Sequence, residues 1–288
     1  MTVPVIAEPV ELRAVLGERR AEGGRVGLVP TMGALHGGHL SLIRRAVADC
    51  DTVAVSVYVN PLQFAPTDDL ASYPRDLDAD CQLAAGVGAD IVFAPSVEQM
   101  WPEPPATVVR VEGVSAPLEG RSRPGHFDGV ATIVARLFGI AGACWAYFGE
   151  KDFQQLAVLR TMTRDLALPV EVVGCPIVRD PDGLALSSRN AYLTAEERQV
   201  APHLYWALLA GRRAVEDDRL TDPDAVAAAM AGAVAATPAL TLDYAAVVDP
   251  ADLSVPPRLS GEVRLLVAAR LGRARLIDNM AATVPALT

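Results

Sequence analysis

The hydrophobic pattern of the first 180 residues alternates between the period of strands and the period of helices. A short apolar run at 26–29 is followed by Leu40, Ile43 and Val47 at helical spacing. The next apolar run, 53–59, is rich in β-branched residues and almost uninterrupted. Such a run is typical of a parallel strand that is covered on both faces.

The alternation continues with short connections. It predicts helices over 76–87, 129–140 and about 152–166, and strands over 90–94, 144–148 and 170–173. This order predicts an α/β fold, a Rossmann-like doubly wound parallel sheet whose ligands bind beyond the carboxyl ends of the strands. The proline-rich stretch 95–124 interrupts the rhythm, and we interpret it as an insertion.

A cluster of turn-forming residues at 179–183 ends the alternation and predicts a domain boundary. Beyond it, Thr194 and Glu197 have the spacing of a capping box, and Ala-rich helices continue to about residue 236. The pattern of 263–279 predicts two strands joined at 271–273. We therefore predict a Rossmann-like domain over 1–180 and a smaller α+β domain over 181–288.

Composition narrows the functional class. The 288 residues carry a formal net charge of −10 at pH 7, which argues against a nucleic-acid surface, since such surfaces need clustered Lys and Arg. No apolar run reaches membrane-spanning length, and the first residues carry acids where a secretion signal would carry bases. The four cysteines are scattered singly. We expect a cytoplasmic protein with free thiols that binds neither nucleic acid nor membranes.

The most informative segment is the glycine-rich turn from Pro30 to His39, where an apolar strand meets a helix. The unpaired amides and the positive dipole end of a helix attract phosphate there. His36 and His39 stand at this entrance and can donate hydrogen bonds to it. A lone histidine at a helix end is more often an ordinary polar residue, but two of the chain's four histidines in one turn favour a function. Zinc is a weaker alternative, because no further ligands lie nearby in sequence.

Cations that could complement a phosphate occur at two further sites. Lys151 stands at a strand-to-helix junction, where a cation opposes the helix dipole unless it contacts an anion. Arg189 follows two serines in the segment between the predicted domains, and a guanidinium can bind phosphate oxygens with two hydrogen bonds. Each could instead be an ordinary solvated side chain or part of a polar turn.

Neutral amides form a third group of candidates. Asn60 and Gln63 follow the second strand, and Gln154 and Gln155 lie just after Lys151. An amide orients a carboxylate without a full ion pair, so the carboxylate keeps its nucleophilicity. Because Gln154 and Gln155 are adjacent in a helix, one of them must face elsewhere.

Seven segments, in order along nearly the whole chain, carry a resemblance to a known family. They are PTMGALHGGHL, NPLQF, YPRDL, RPGHF, FGEKDFQQL, DGLALSSRNAYL and LVAARLGRARLIDN. The chain resembles the pantoate–β-alanine ligases; the HGGH element alone is shared more loosely with nucleotidyltransferases and class I aminoacyl-tRNA synthetases. The resemblance implies that ATP and Mg²⁺ convert pantoate to pantoyl adenylate with release of pyrophosphate. The β-alanine amine then attacks the adenylate and gives pantothenate and AMP.

The same resemblance assigns residues. It makes His39 the proton donor with His36 beside it on the phosphates, gives Lys151 a catalytic role, and places pantoate on Gln63 and Gln155, with Asn60 as a further member of that pocket. His126 receives no assigned role. The implied ATP site consists of Met32, Gly33, Ala34, Leu35, His36, Gly37, Gly38, His39, Gly149, Glu150, Lys151, Asp152, Val178, Leu186, Ser187, Ser188 and Arg189.

Several expectations accompany this assignment. The resemblance implies a homodimer, and we expect the 181–288 domain to close over the nucleotide as a lid. Asp78, Asp80 and Asp152 are three candidate Mg²⁺ ligands that the sequence does not separate. The alternatives are a nucleotidyltransferase that releases its adenylylated product and a noncatalytic module that senses ATP.

Overall fold

The computed structural model describes residues 3–64, 70 and 73–286. The chain divides into two compact units. The first is Met1–Glu150 with Gln154–Pro176, and the second is Lys151–Phe153 with Ile177–Thr288. Within the described residues, no helix is both long and apolar enough to cross a membrane.

The first unit is built on a six-stranded parallel sheet in the order β1-β4-β3-β2-β5-β6. This confirms the Rossmann-like α/β prediction. The strands are β1 (Val5–Ile6), β2 (Val26–Thr31), β3 (Thr52–Val57), β4 (Ile91–Phe93), β5 (Cys144–Gly149) and β6 (Val170–Cys175). The helices are α1 (Pro9–Ala21), α2 (Gly37–Asp49), α3 (Leu77–Gly86), α4 (Val97–Met100), α5 (Glu119–Ser122), α6 (His126–Ala141) and α7 (Phe153–Asp165).

The apolar runs at β2 and β3 are the centre of this sheet. β2 pairs with β3 from Val26 opposite Thr52 to Thr31 opposite Val57. Leu28 and Val29 in β2 are fully enclosed, as is Val55 in β3. A strand with neighbours on both edges and helices above it excludes water from both faces, which explains the nearly continuous hydrophobic sequence.

The second unit contains an antiparallel three-stranded sheet in the order β7-β8-β9. Helices α9 and α10 pack on this sheet, and their apolar faces form the core of the unit. The predicted pair of strands joined near 271–273 is confirmed. The strands are β7 (Leu240–Val248), β8 (Glu262–Leu271) and β9 (Ala274–Thr283), and the helices are α8 (Ala195–Val200), α9 (His203–Glu216) and α10 (Pro223–Ala235).

Some elements differ from the sequence predictions. Helix α6 begins at His126, three residues before the predicted start, and the proline-rich segment contains the two short helices α4 and α5. Strand β7 has no predicted counterpart: its alternation covers only residues 240–244, and residues 241–246, all of them half-buried or exposed, separate its two buried ends. Helix α1 and strand β1 also had no predicted counterpart.

The turn cluster at 179–183 is attached to β9 by a buried ion pair. The Arg179 guanidinium donates to both carboxylate oxygens of Asp278, at 2.6 and 2.9 Å. It also donates to the Gly183 carbonyl at 3.0 Å and lies 4.5 Å from the centre of the Tyr205 ring. The turn is therefore fixed to the sheet of its own unit.

We predict that Asp278→Ala lowers the free energy of unfolding of the second unit by about 3 kcal/mol, because it leaves a mostly buried guanidinium without its carboxylate. Urea denaturation followed by circular dichroism measures the change. The control is Glu22→Gln, which removes the exposed Arg19–Glu22 pair and should cost less than about 1 kcal/mol. Equal effects of the two substitutions would contradict the assigned role of the buried pair.

Candidate active site

The turn between β2 and α2 has an unusual backbone. Gly33 has φ of 82° and Ala34 has φ of 51°, so two consecutive residues adopt the left-handed region before α2 begins at Gly37. A Cβ atom on Gly33 would lie 2.7 Å from a carboxylate oxygen of Asp80 and 3.0 Å from Val57. Only glycine fits this position.

The two histidines cap α2, which the sequence interpretation did not foresee. The Gly38 amide donates to Nδ1 of His36 at 3.1 Å, and the His36 amide donates more weakly to Nδ1 of His39 at 3.4 Å. A ring nitrogen that accepts carries no proton, so each neutral ring bears its proton on Nε2. The ring centres lie 4.1 Å apart. Both rings are thus oriented as Nε2–H donors at the helix entrance.

Asp80 of α3 stabilises the turn between β2 and α2 by hydrogen bonds to its backbone. Its side chain is buried at 3% exposure, and its oxygens accept from the Leu35 amide at 2.7 Å and from the Ala34 amide at 3.0 Å. Burial raises the pKa of the Asp80 carboxyl, and the two amide hydrogen bonds counteract part of that rise. Sequence reasoning had considered Asp80 only as a Mg²⁺ ligand.

Asp78 and Asp80 do not form a protein-built metal site, and Asp152, the third candidate Mg²⁺ ligand, belongs to the second unit. Both oxygens of Asp80 already accept backbone amides, and Asp78 lies exposed on the same helix. In the described ranges, no group of three or more His, Cys, Asp or Glu side chains is arranged to hold a metal ion. The donor set therefore does not fit a metal held by side chains alone.

Gln63 lies in a short 3-10 turn, Pro61–Gln63, which follows β3. Asn60 caps this turn and is 1% exposed; its Nδ2 donates to Oε1 of Gln63 at 3.2 Å and to the Gly129 carbonyl at 3.1 Å. Gln63 in turn contacts the Met32 sulfur at 2.8 Å. The structure thus brings Gln63 beside the turn residue Met32 and gives Asn60 a supporting position.

His126 fixes the backbone of the same 3-10 turn. Arg123 lies 3.0 Å from Nε2 of His126, and because a guanidinium only donates, that nitrogen must accept. The proton of the neutral ring is therefore on Nδ1, which donates to the Gln63 carbonyl at 2.9 Å. A Cβ atom on Gly129 would lie only 2.1 Å from the Leu62 carbonyl oxygen, so the turn rests directly on α6.

The structure separates the two adjacent glutamines of α7. Gln154 is buried, accepts from the Glu119 amide at 3.0 Å, and donates to the carbonyls of Val114 and Pro117 at 2.9 and 2.8 Å. It therefore attaches the proline-rich segment to α7. Gln155 is half-buried, and of the two it stays the candidate for a ligand.

The remaining ATP-site candidates beyond residue 150 belong to the second unit. Lys151 lies half-buried in the 3-10 turn Glu150–Asp152. The Leu186 amide donates to the Val178 carbonyl at 2.9 Å, and the Arg189 amide donates to the Ser187 hydroxyl at 3.3 Å. Val178 and the 186–189 segment are thus neighbours within that unit.

The fold and the glycine-rich turn between β2 and α2 define the class, a Rossmann-like α/β protein with a small antiparallel domain. Comparison with known proteins identifies the family. The model of the family described as pantoate-beta-alanine ligase matches residues 4–281. The chain belongs to this family.

Individual relatives agree with the family match. A pantothenate synthetase of Cereibacter sphaeroides is 53% identical over 96% of this chain and 99% of its own length. The crystal structure of a Thermus thermophilus pantothenate synthetase is 49% identical with a TM-score of 0.91, covering 96% of this chain and 99% of that one. A Francisella tularensis pantoate-beta-alanine ligase, crystallised with beta-gamma ATP and beta-alanine, is 31% identical with a TM-score of 0.78 over 96% and 97%.

We predict that Asp80→Asn loosens the turn, because an amide offers one acceptor where the carboxylate offers two. Exchange of the Ala34 or Leu35 amide hydrogen should accelerate by about 10-fold to 100-fold, the loss of one charge-assisted hydrogen bond. Hydrogen–deuterium exchange measures it. The exposed Asp78→Asn on the same helix is the matched control. Unchanged protection of both amides in Asp80→Asn would contradict the role of the carboxylate.

Proposed function

We propose that the chain joins pantoate to β-alanine with ATP, through a pantoyl adenylate, and releases pyrophosphate and AMP with pantothenate. The observation that carries the proposal is the turn between β2 and α2, where two histidines present Nε2–H donors at a helix N-terminus. Membership in the pantoate-beta-alanine ligase family supports the choice of the two substrates.

In the first step, a pantoate carboxylate oxygen bonds to the α-phosphorus of ATP, and the bond from that phosphorus to the bridging oxygen breaks as pyrophosphate leaves. His36, His39, Lys151 and Arg189 would stabilise the charge on the phosphates, with His39 as proton donor. Local donors must do this, since the chain as a whole is negative at −10 and repels ATP.

The amide side chains of Gln63 and Gln155 would orient the pantoate carboxylate. A neutral amide withdraws less charge from the attacking oxygen than a cation would, while still fixing its direction. Asn60 and His126 contribute by holding Gln63 through its side chain and its carbonyl. Exclusion of water would then protect the mixed anhydride until the amine arrives.

In the second step, the nitrogen of β-alanine bonds to the acyl carbon, AMP leaves with the anhydride oxygen, and the amine loses a proton. Mg²⁺ would enter on the triphosphate as part of the substrate, and no step depends on a metal held by side chains. The homodimer, the cytoplasmic location and closure of the 181–288 domain stay predictions from the sequence.

Omitting each substrate in turn tests the proposed function. ATP, pantoate and β-alanine together should give pantothenate, AMP and pyrophosphate in equal amounts, measured by mass spectrometry. A nucleotidyltransferase would release its adenylylated product without needing β-alanine, and an ATP-sensing module would bind ATP without turnover. Either result would overturn the proposal.

We predict that His39→Ala reduces pantoate-dependent exchange of labelled pyrophosphate into ATP by about 100-fold to 1000-fold, the usual cost of removing one donor to a developing negative charge. His203→Ala is the control, since His203 lies in α9 and contacts Thr237 within the second unit. Exchange near the wild-type rate in His39→Ala would show that His39 does not act on the phosphates.

A further inference from the structure

Strand β9 contains the segment LIDN, whose last two residues are enclosed polar side chains that the proposed reaction does not use. Asn279 is 1% exposed and Asp278 is buried beside it. Asp278 is explained by its ion pair with Arg179. Asn279 makes different hydrogen bonds, and one of them joins it to the backbone of Lys151.

The Asn279 side chain uses its donor and its acceptor at once. Its Nδ2 donates to the backbone carbonyl of Lys151 at 2.9 Å, and its Oδ1 accepts from Nε of Arg264 at 2.8 Å. Arg264 is itself enclosed, with its guanidinium 4.1 Å from the centre of the Phe153 ring. Two side chains of the C-terminal sheet therefore hold both ends of the segment 151–153.

The division of the chain into two units agrees with these contacts. Residues 151–153 group with the second unit, although Glu150 before them and Gln154 after them group with the first. The segment that carries Lys151 thus belongs structurally to the C-terminal sheet. Its neighbours in sequence belong to the first unit.

The composition distinguishes position 151 from every other cationic position in the chain. Of the 25 lysine and arginine residues in the chain, Lys151 alone is lysine. An ammonium is a compact charge with three donors on a flexible stem, whereas a guanidinium is a planar fork. Because the stem is flexible, the backbone fixes only where the side chain begins, and this sets the positions that the ammonium can reach.

We propose that Asn279 is a positioning residue that directs the Lys151 ammonium by fixing the Lys151 carbonyl, with Arg264 as its support. The proposal rests on the proposed function only in that Lys151 meets the phosphates of ATP. Asparagine suits the role because an aspartate would place a carboxylate oxygen against the Lys151 carbonyl, and an alanine would lose the hydrogen bonds both to that carbonyl and from Arg264.

A double-mutant cycle separates positioning from a purely structural role. We expect Asn279→Ala to lower kcat/KM for ATP by about 10-fold to 100-fold, as a displaced catalytic group does. In the Lys151→Ala background, where the carbonyl remains and the side chain beyond Cβ is gone, the same substitution should change the rate by less than about twofold. A full additional loss in that background would overturn the proposal. So would wild-type kinetics in a folded Asn279→Ala.

The matched control is Asp243→Asn, which neutralises the carboxylate that Arg275 contacts at 2.6 Å in the same sheet and should leave kcat/KM unchanged. A loss in the control equal to that in Asn279→Ala would show a general effect of sheet damage and would overturn the proposal. Thermal melting of each variant identifies any that fail to fold. For such a case Asn279→Asp, which keeps the Arg264 contact, is the second variant and should show the same kinetic loss; wild-type kinetics in it would overturn the proposal.

A second readout does not depend on turnover. Reductive ¹³C-methylation labels the N-terminus and one side chain, Lys151, so the lysine gives a single dimethyl NMR signal. A nonhydrolysable ATP analogue should shift this signal in the wild type and in Asp243→Asn, and Asn279→Ala should need about tenfold more analogue for the same shift. An equal response in Asn279→Ala would overturn the proposal. No response in the wild type would also overturn it, while product formation in the omission experiment would still support the ligase function.

Discussion

A buried carboxylate that accepts two consecutive backbone amides sets the shape of the turn on which the candidate site depends. The hydrogen bonds from Ala34 and Leu35 to Asp80 keep the chain in the left-handed region at Gly33 and Ala34. Enclosing a carboxylate is unfavourable unless donors compensate it, and the turn supplies those donors. The turn and the carboxylate therefore stabilise each other, and the direction in which α2 begins follows from both.

The parts of the fold that could be predicted from the sequence are those set by local periodicity. The apolar runs of β2 and β3, the helical spacing after His39 and the hairpin between β8 and β9 each depend on residues close together in the chain. Strand β7 could not be predicted in this way, because its burial comes from the neighbours that it meets in the folded unit.

The candidate site also contains features set by neighbouring residues, which the sequence predicts, and features set by distant residues, which it does not. The glycine-rich turn and its histidines are contiguous, so their pattern was visible. The role of Asp80 was not, because its partner Leu35 lies 45 residues away and nothing local marks the contact. The same holds for His126, whose tautomer follows from Arg123 and whose target is the Gln63 carbonyl, 63 residues away. Supporting residues of this kind become visible only when the fold brings distant segments together.

Gln154 is buried and Gln155 is half-buried, and this difference limits how the length of the chain before α7 can change. Successive residues of a helix point about 100° apart, so deleting or inserting a single residue ahead of α7 would turn both amides by about 100°. An insertion would give Gln154 the present direction of Gln155, a deletion would give Gln155 the present direction of Gln154, and either change would detach Gln154 from the proline-rich segment. The number of residues between β5 and α7 is therefore a requirement of the architecture, separate from the role proposed for the Lys151 side chain.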